Sequence, residues 1–183
     1  AATVSHLMGP HAVAAVKMAM PVLTTFLSLN SLLGVGASLL AAKAIGSRDS
    51  EEASRVFTAA LYSVLAVGVV VTVASYACCE QISRIVCADD DIRPMVLSYL
   101  RVTSLGVTVL VLSGMMNMMV QSDGRPRLVT CAVIVGAVTN VVLDVVFIKV
   151  LGLGIAGSAW ATVINYGVTV CITSSHLRRK SCS

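Results

Sequence analysis

The chain has 183 residues, of which 57% are hydrophobic and only 12% charged, with a mean hydropathy of +0.90 and a formal net charge of +4. Soluble domains carry roughly a quarter charged residues, so this composition excludes an ordinary soluble domain and points to an integral membrane protein. The 13 basic residues are scattered over loops without a patch or interleaved aromatics, which speaks against a nucleic-acid partner.

A bilayer crossing takes about 20 apolar residues, and five runs are long enough. The first, Ala12 to Ala42, is interrupted by Lys17 and is predicted to bend at Pro21. At about 1.5 Å per residue it exceeds the hydrocarbon thickness, so its start belongs in the interface. The second, Ala53 to Tyr76, follows "DSEE", where Asp49 and Glu52 have the spacing of a capping box. Residues 79–93, "CEQISRIVCADDDIR", are too charged to cross and are expected to form a connection with room for a short interfacial helix. The remaining runs are Pro94 to Val120, Leu128 to Ile148 and Ile155 to Ser174. Between them "GSRDS", "QSDGRP" and "LGLG" supply turn residues. The predicted fold class is an all-α integral membrane protein, a polytopic helix bundle.

Lysine and arginine set the orientation. One side collects Lys43, Arg48, Arg55, Arg125, Arg127, Arg178, Arg179 and Lys180; the other has Lys17, Arg84, Arg93, Lys149 and the deeper Arg101. By the positive-inside rule the first set is cytoplasmic, with the N-terminal end outside and the C-terminal end inside. The chain opens "AATVSHLMGPH", with neither Met nor a basic n-region, and reads either as a processed chain or, in preference, as a fragment that continues a preceding segment.

Three motifs invite chemistry that their context does not support. The six cysteines show no C-x-x-C and no ligand spacing with the three histidines, so most read as small packing residues. Cys78, Cys79 and Cys87, near the expected outer surface, are the candidates for a bridge. "GMMNMM", residues 114–119, has thioethers that suit Cu(I), but reads as adaptable packing at a helix end. "GLGIAG", Gly152 to Gly157, matches a dinucleotide-binding turn, yet no Asp or Glu follows Asp144 to hold a ribose, and the next helix is apolar over a membrane thickness. It reads instead as a tight hairpin in which Gly152, Gly154, Gly157 and Ser158 bring two helices together; Gly34, Gly36 and Ser38 are expected to do the same in the first helix.

Of the nine acidic residues, only Asp144 lies inside a span, in "GAVTNVVLDVVFI", residues 136–148. A charge at bilayer depth costs several kcal/mol, so it normally faces a bundle interior or a wet cavity. Asn140, four residues earlier, shares its face. Counting from a hairpin centred near residues 151–153 places Thr162 at similar depth on the next helix. A carboxylate, an amide oxygen and a hydroxyl form a hard-oxygen set suited to Na⁺, and a carboxylate held out of water equally takes a proton. The structural alternative makes Asp144 an ion-pair partner of Arg101 or an interfacial group leaning toward Lys149. No Ser/His pair, metal cluster or acid dyad lies within a span, so neither an enzyme nor a catalytic residue is expected.

"LNSLLGVGASLLAAKAIGSRDSEEASRVF", "YLRVTSLG", "MVQSDGRPRL", "GAVTNVVLDVVFI" and "LGLGIAGSAWATVI", in this order and spacing, resemble the multidrug and toxic compound extrusion (MATE) family of secondary transporters. The resemblance implies two six-helix lobes, with export of drugs or other amphipathic organic compounds coupled to inward Na⁺ or H⁺ movement, in a multi-pass protein of the plasma (bacterial inner) membrane. The match starts just before the family's second helix and ends after its sixth. Residues 1–183 would therefore be a partial amino-terminal lobe, five helices of an expected twelve, partnered by a first helix and a carboxy-terminal lobe. The resemblance also implies a cation-coupling site at Asn140, Asp144 and Thr162, which match the family's Asn and Asp four residues apart on helix five and its Thr on helix six. An Asp on helix one completes that family site. No cofactor is implied beyond Na⁺ or H⁺ as coupling ion. A lipid-linked oligosaccharide flippase of the same broader superfamily and a non-transporting membrane interaction module are the alternatives.

Overall fold

The structure, a computed structural model, describes residues 10–46, 50–87 and 89–181. Five long helices follow one another: α1 Pro10–Gly46, α2 Ser50–Val86, α3 Arg93–Ser122, α4 Pro126–Val145 and α5 Gly154–Ser181. The last turns of α4 widen into a π-helical segment, Val146–Val150. All five have windows apolar and long enough to cross a membrane.

α3 is the central post. It packs on α1, α2 and α5, whereas α4 rests chiefly on α5. Half of α3's apolar window is buried inside the bundle, against 11% for α2 and 17% for α4. The outer faces of those two helices present Val69, Val70, Val73, Val138, Val141 and Val142. Apolar residues all round a helix, with polar ones turned inward, are what a lipid environment selects. The interior accordingly holds Ser75, Ser104, Ser113 and Thr173 beside two apolar clusters. One, around Ala15, Ala19, Tyr99, Leu100 and Ile155, ties the start of α1 to the starts of α3 and α5. The other, around Phe26, Val64, Val107, Val111 and Met115, fills the space between α1, α2 and α3. The α2–α3 seam is closed by hydroxyls, Thr72 to Thr108 at 2.9 Å, and by Cys79 Sγ to Ser104 Oγ at 3.4 Å.

Residues 79–93 depart from the expected connection. α2 continues to Val86, and the chain turns at residues 90–92 before α3. Glu80 and Arg84, four residues apart, pair at 2.7 Å on the exposed face, while Cys79, Ser83 and Cys87 are buried on the other. The charges of this segment are thus the solvated face of a helix whose 37 residues extend about 55 Å, well past the hydrocarbon. Cys78 is exposed, and Cys79 and Cys87 are buried; all three are free thiols, so no bridge joins them. α5 likewise runs beyond its expected end at Ser174. The expected Asp49 cap lies outside the described residues.

α1 continues through Pro21. Proline contributes no N–H to the helix ladder, and nearby the hydroxyls of Thr24, Thr25 and Ser28 donate to the carbonyls of Met20, Pro21 and Thr24. Such back-bonding accompanies bent helices. Gly34 packs close to Met118 of α3 as expected, but Gly36 meets nothing and faces outward. Met115, Met116 and Met119 are buried core residues, the packing role read for "GMMNMM".

Candidate cation site between α4 and α5

The hairpin joining α4 to α5 sets the register of the site. Gly152 and Gly154 adopt φ values of +63° and +59°, a left-handed conformation that side chains disfavour, and they turn the chain within a few residues. The π segment closes with Leu151 N–H to Val146 O at 3.0 Å and Leu153 N–H to Phe147 O at 2.9 Å. Gly157 then passes so close to Phe147 that a Cβ at that position would lie 2.8 Å from the Phe147 Cβ. "GLGIAG" is therefore a hairpin and packing element, as its context indicated.

This register brings Asn140 and Thr162 together. Asn140 Nδ2 donates to Thr162 Oγ1 at 3.4 Å, and Thr162 Oγ1 donates to the Ser158 carbonyl at 3.0 Å. Because the Thr162 proton is committed to its own helix, the hydroxyl presents a lone pair to the interface. Asp144, one turn along α4 from Asn140, is 5% exposed, and its Oδ1 is buried without a hydrogen-bond partner. The Ser158 hydroxyl is its side-chain neighbour on α5. The three residues singled out in the sequence thus lie along one α4–α5 interface, Asn140 and Thr162 in direct contact and Asp144 one turn beyond.

Among the described residues, no ion pair reaches Asp144. Arg101 and Lys149 are both exposed, and the pairs that do form, Glu51–Arg55, Glu80–Arg84 and Asp90–Arg93, lie near helix ends. A buried carboxylate with an orphaned oxygen is expensive unless something neutralises it, and the surrounding amide and hydroxyl oxygens are the hard donors that a small cation accepts. Asp144 Oδ1 and this donor set fit Na⁺ or a proton. Two further groups escaped sequence reasoning. Tyr99 of α3 is 5% exposed and lies within electrostatic reach of both Asp144 and Tyr166. Its signal is a tyrosine inside a membrane-length run, whose hydroxyl needs a partner when buried. Ser158 reads in the sequence as a packing residue alone.

The family model for MatE matches residues 1–146. The chain belongs to the MatE family. A multidrug export protein, MepA, of Staphylococcus haemolyticus is 22% identical over 171 residues, covering 93% of this chain and 38% of that relative. The outward-facing conformation of a multidrug resistance MATE family transporter of the MOP superfamily superposes with a TM-score of 0.89 at 32% identity, covering 96% of this chain and 39% of that one. A MOP superfamily transporter from Pyrococcus furiosus, described as having a binding pocket of reverse polarity that suggests a different function, gives a TM-score of 0.88 at 32% identity, covering 96% of this chain and 38% of that one. The chain thus spans about 38% of the length of the curated relative and is a multi-pass membrane segment with the fold of this family's amino-terminal lobe.

Proposed function

We propose that the transporter to which this MatE-family lobe belongs is a cation-coupled exporter of amphipathic organic compounds, and that Asp144 is where this lobe takes the coupling ion. The observation that carries the reading is the Asp144 carboxylate: buried, without an ion-pair partner among the described residues, and one turn from the Asn140–Thr162 contact. The multidrug export function of the MepA relative supports the substrate class.

With Asp144 ionised, the carboxylate attracts Na⁺ or H⁺ into the α4–α5 interface, where Asn140, Thr162 and Ser158 supply neutral oxygens. Binding cancels a charge that the bundle otherwise holds at a cost of several kcal/mol. That difference between the charged and neutral states is free energy available to bias one arrangement of the lobes over another, as alternating access requires. Basic residues at Lys43, Arg55, Arg125 and Arg127 support, by the positive-inside rule, an orientation with that end of the bundle in the cytoplasm and Asp144 in the outer half.

The test is efflux from proteoliposomes holding the intact transporter under an imposed Na⁺ or pH gradient. Asp144→Asn keeps the side-chain shape and removes the charge, so gradient-driven export should be lost while expression and membrane insertion stay near normal. Coupled export by this variant would show that the acid is structural.

A further inference from the structure

Beyond Asn140, toward the basic end of the bundle, the α4–α5 interface stays polar on one side only. The α4 face turned to α5 runs Asp144, the half-buried Asn140, Gly136, Ala132 and Val129, losing its polar groups at Gly136. The α5 face continues with Asn165, Thr169 and Thr173, a polar group every three or four residues over roughly 16 Å from Thr162 to Thr173. Gly136 is where the two faces meet. A side chain there would overlap the Asn165 amide oxygen and come within 2.9 Å of Thr169 Oγ1. Two side-chain oxygens of α5 therefore lie against bare α4 backbone, one turn beyond Asn140. Thr169 and Thr173 are 3% and 0% exposed. Each donates its proton to its own helix, Thr169 to Asn165 O at 3.0 Å and Thr173 to Thr169 O at 2.9 Å, so each hydroxyl is left with acceptor capacity. Close helix packing over Gly136 accounts for the small residue on α4, but alanine or valine would serve packing as well as the polar residues opposite.

We propose that this seam is the path by which a small monovalent cation travels between Asp144 and the basic end of the bundle, with Asn165 and Thr169 as transit oxygens across Gly136. It rests on Asp144 being the coupling residue. Neutral oxygens replace part of a cation's hydration without trapping it, which suits a path rather than a resting site. The Asp144 carboxylate is the resting position; Asn165 and Thr169 are steps away from it.

The experiment uses the intact transporter in proteoliposomes, with ²²Na⁺ binding and Na⁺- or pH-driven substrate export measured on Asn165→Leu and Thr169→Val. Impaired ion transit predicts Na⁺ affinity within about twofold of the parent and export slowed about tenfold or more. If the Na⁺ arm is unaffected and the pH arm slowed, the travelling ion is a proton. Parental rates in both arms for both variants overturn the path. Asp144→Asn, run beside them, separates the two ideas: if it still couples, the site itself fails, whereas loss of coupling there with parental seam variants removes the path alone. Should Asn165→Leu fail to fold, a charged methanethiosulfonate reagent applied at the Arg125 end to Thr169→Cys and Thr173→Cys in a cysteine-free background decides. Labelling of both supports the path, and protection of both overturns it.

Discussion

Asn140 donates to the Thr162 hydroxyl across the α4–α5 interface, and Thr162 in turn donates to the Ser158 carbonyl. Asp144, four residues on, shares this α4 face and is buried in the bundle rather than turned toward lipid. Removing the contact should therefore act on the carboxylate's surroundings while leaving its charge in place.

Asn140→Ala and Thr162→Val each delete one neutral oxygen. In the intact transporter, each should raise the cation concentration for half-maximal export by about 5- to 30-fold, the effect of losing one hydrogen-bonding or ligating group worth roughly 1–2 kcal/mol. The maximal rate should fall less than for Asp144→Asn. Export as cation-dependent as the parent's in both variants would remove these residues from the site.

How far the sequence reveals this site depends on what each residue contrasts with. Asp144 and Asn140 stand out because they interrupt an apolar run, and a short hairpin gives Thr162 its depth by counting alone. Tyr99 comes from a third helix, and its approach to Asp144 depends on how α3 rotates against α4 and α5, which spacing along one chain does not encode. Asn165 and Thr169 look like ordinary helix residues until Gly136 is seen to pass against them. The reach of α2 to Val86 is hidden in the sequence because Glu80 and Arg84 read as charges unfit to cross, although their four-residue spacing marks one exposed helical face. The π turns at Val146–Val150, in "VFIKV", carry no proline or glycine to announce them.

The Glu80–Arg84 pair has both side chains more than 60% exposed. An exposed pair four residues apart on a helix contributes about 0.3–0.5 kcal/mol, so Arg84→Ala should shift thermal stability in detergent by about a degree or less. A loss of several degrees would mean that the outer part of α2 depends on this pair.

Topology is open to a labelling test. Single cysteines in place of Gly46 and Ser122, in a background without native cysteines, should react with a membrane-impermeant maleimide only from the cytoplasmic side, and one in place of Asp91 only from outside. The reverse pattern would invert the bundle and put Asp144 in the inner half of the membrane.

Gly157 sits where α5 leaves the hairpin, against Phe147 of the π segment. Even alanine would place its Cβ 2.8 Å from the Phe147 Cβ, so Gly157→Ala should cost about 1–3 kcal/mol, and Gly157→Leu should sharply lower the yield of folded protein. Phe147→Ala leaves the obstructing Cβ and backbone carbon of residue 147 in place, so it should not rescue Gly157→Leu. Unchanged folded yield for Gly157→Leu would show that α4 and α5 do not need this close approach.

Arg101 supplies the sharpest contrast to the coupling reading of Asp144. A buried ion pair loses about 3–5 kcal/mol when one partner is removed, because the other charge is stranded. Arg101 is instead exposed and makes no ion pair with Asp144 in the structure. Arg101→Gln should therefore leave folded yield, thermal stability and cation-driven export close to the parent, while Asp144→Asn folds and does not couple. If both variants lose folded protein to the same extent, and the double variant loses no more than either alone, the two charges hold each other in the native transporter. Asp144 would then be an ion-pair anchor, and the coupling residue would have to be sought elsewhere.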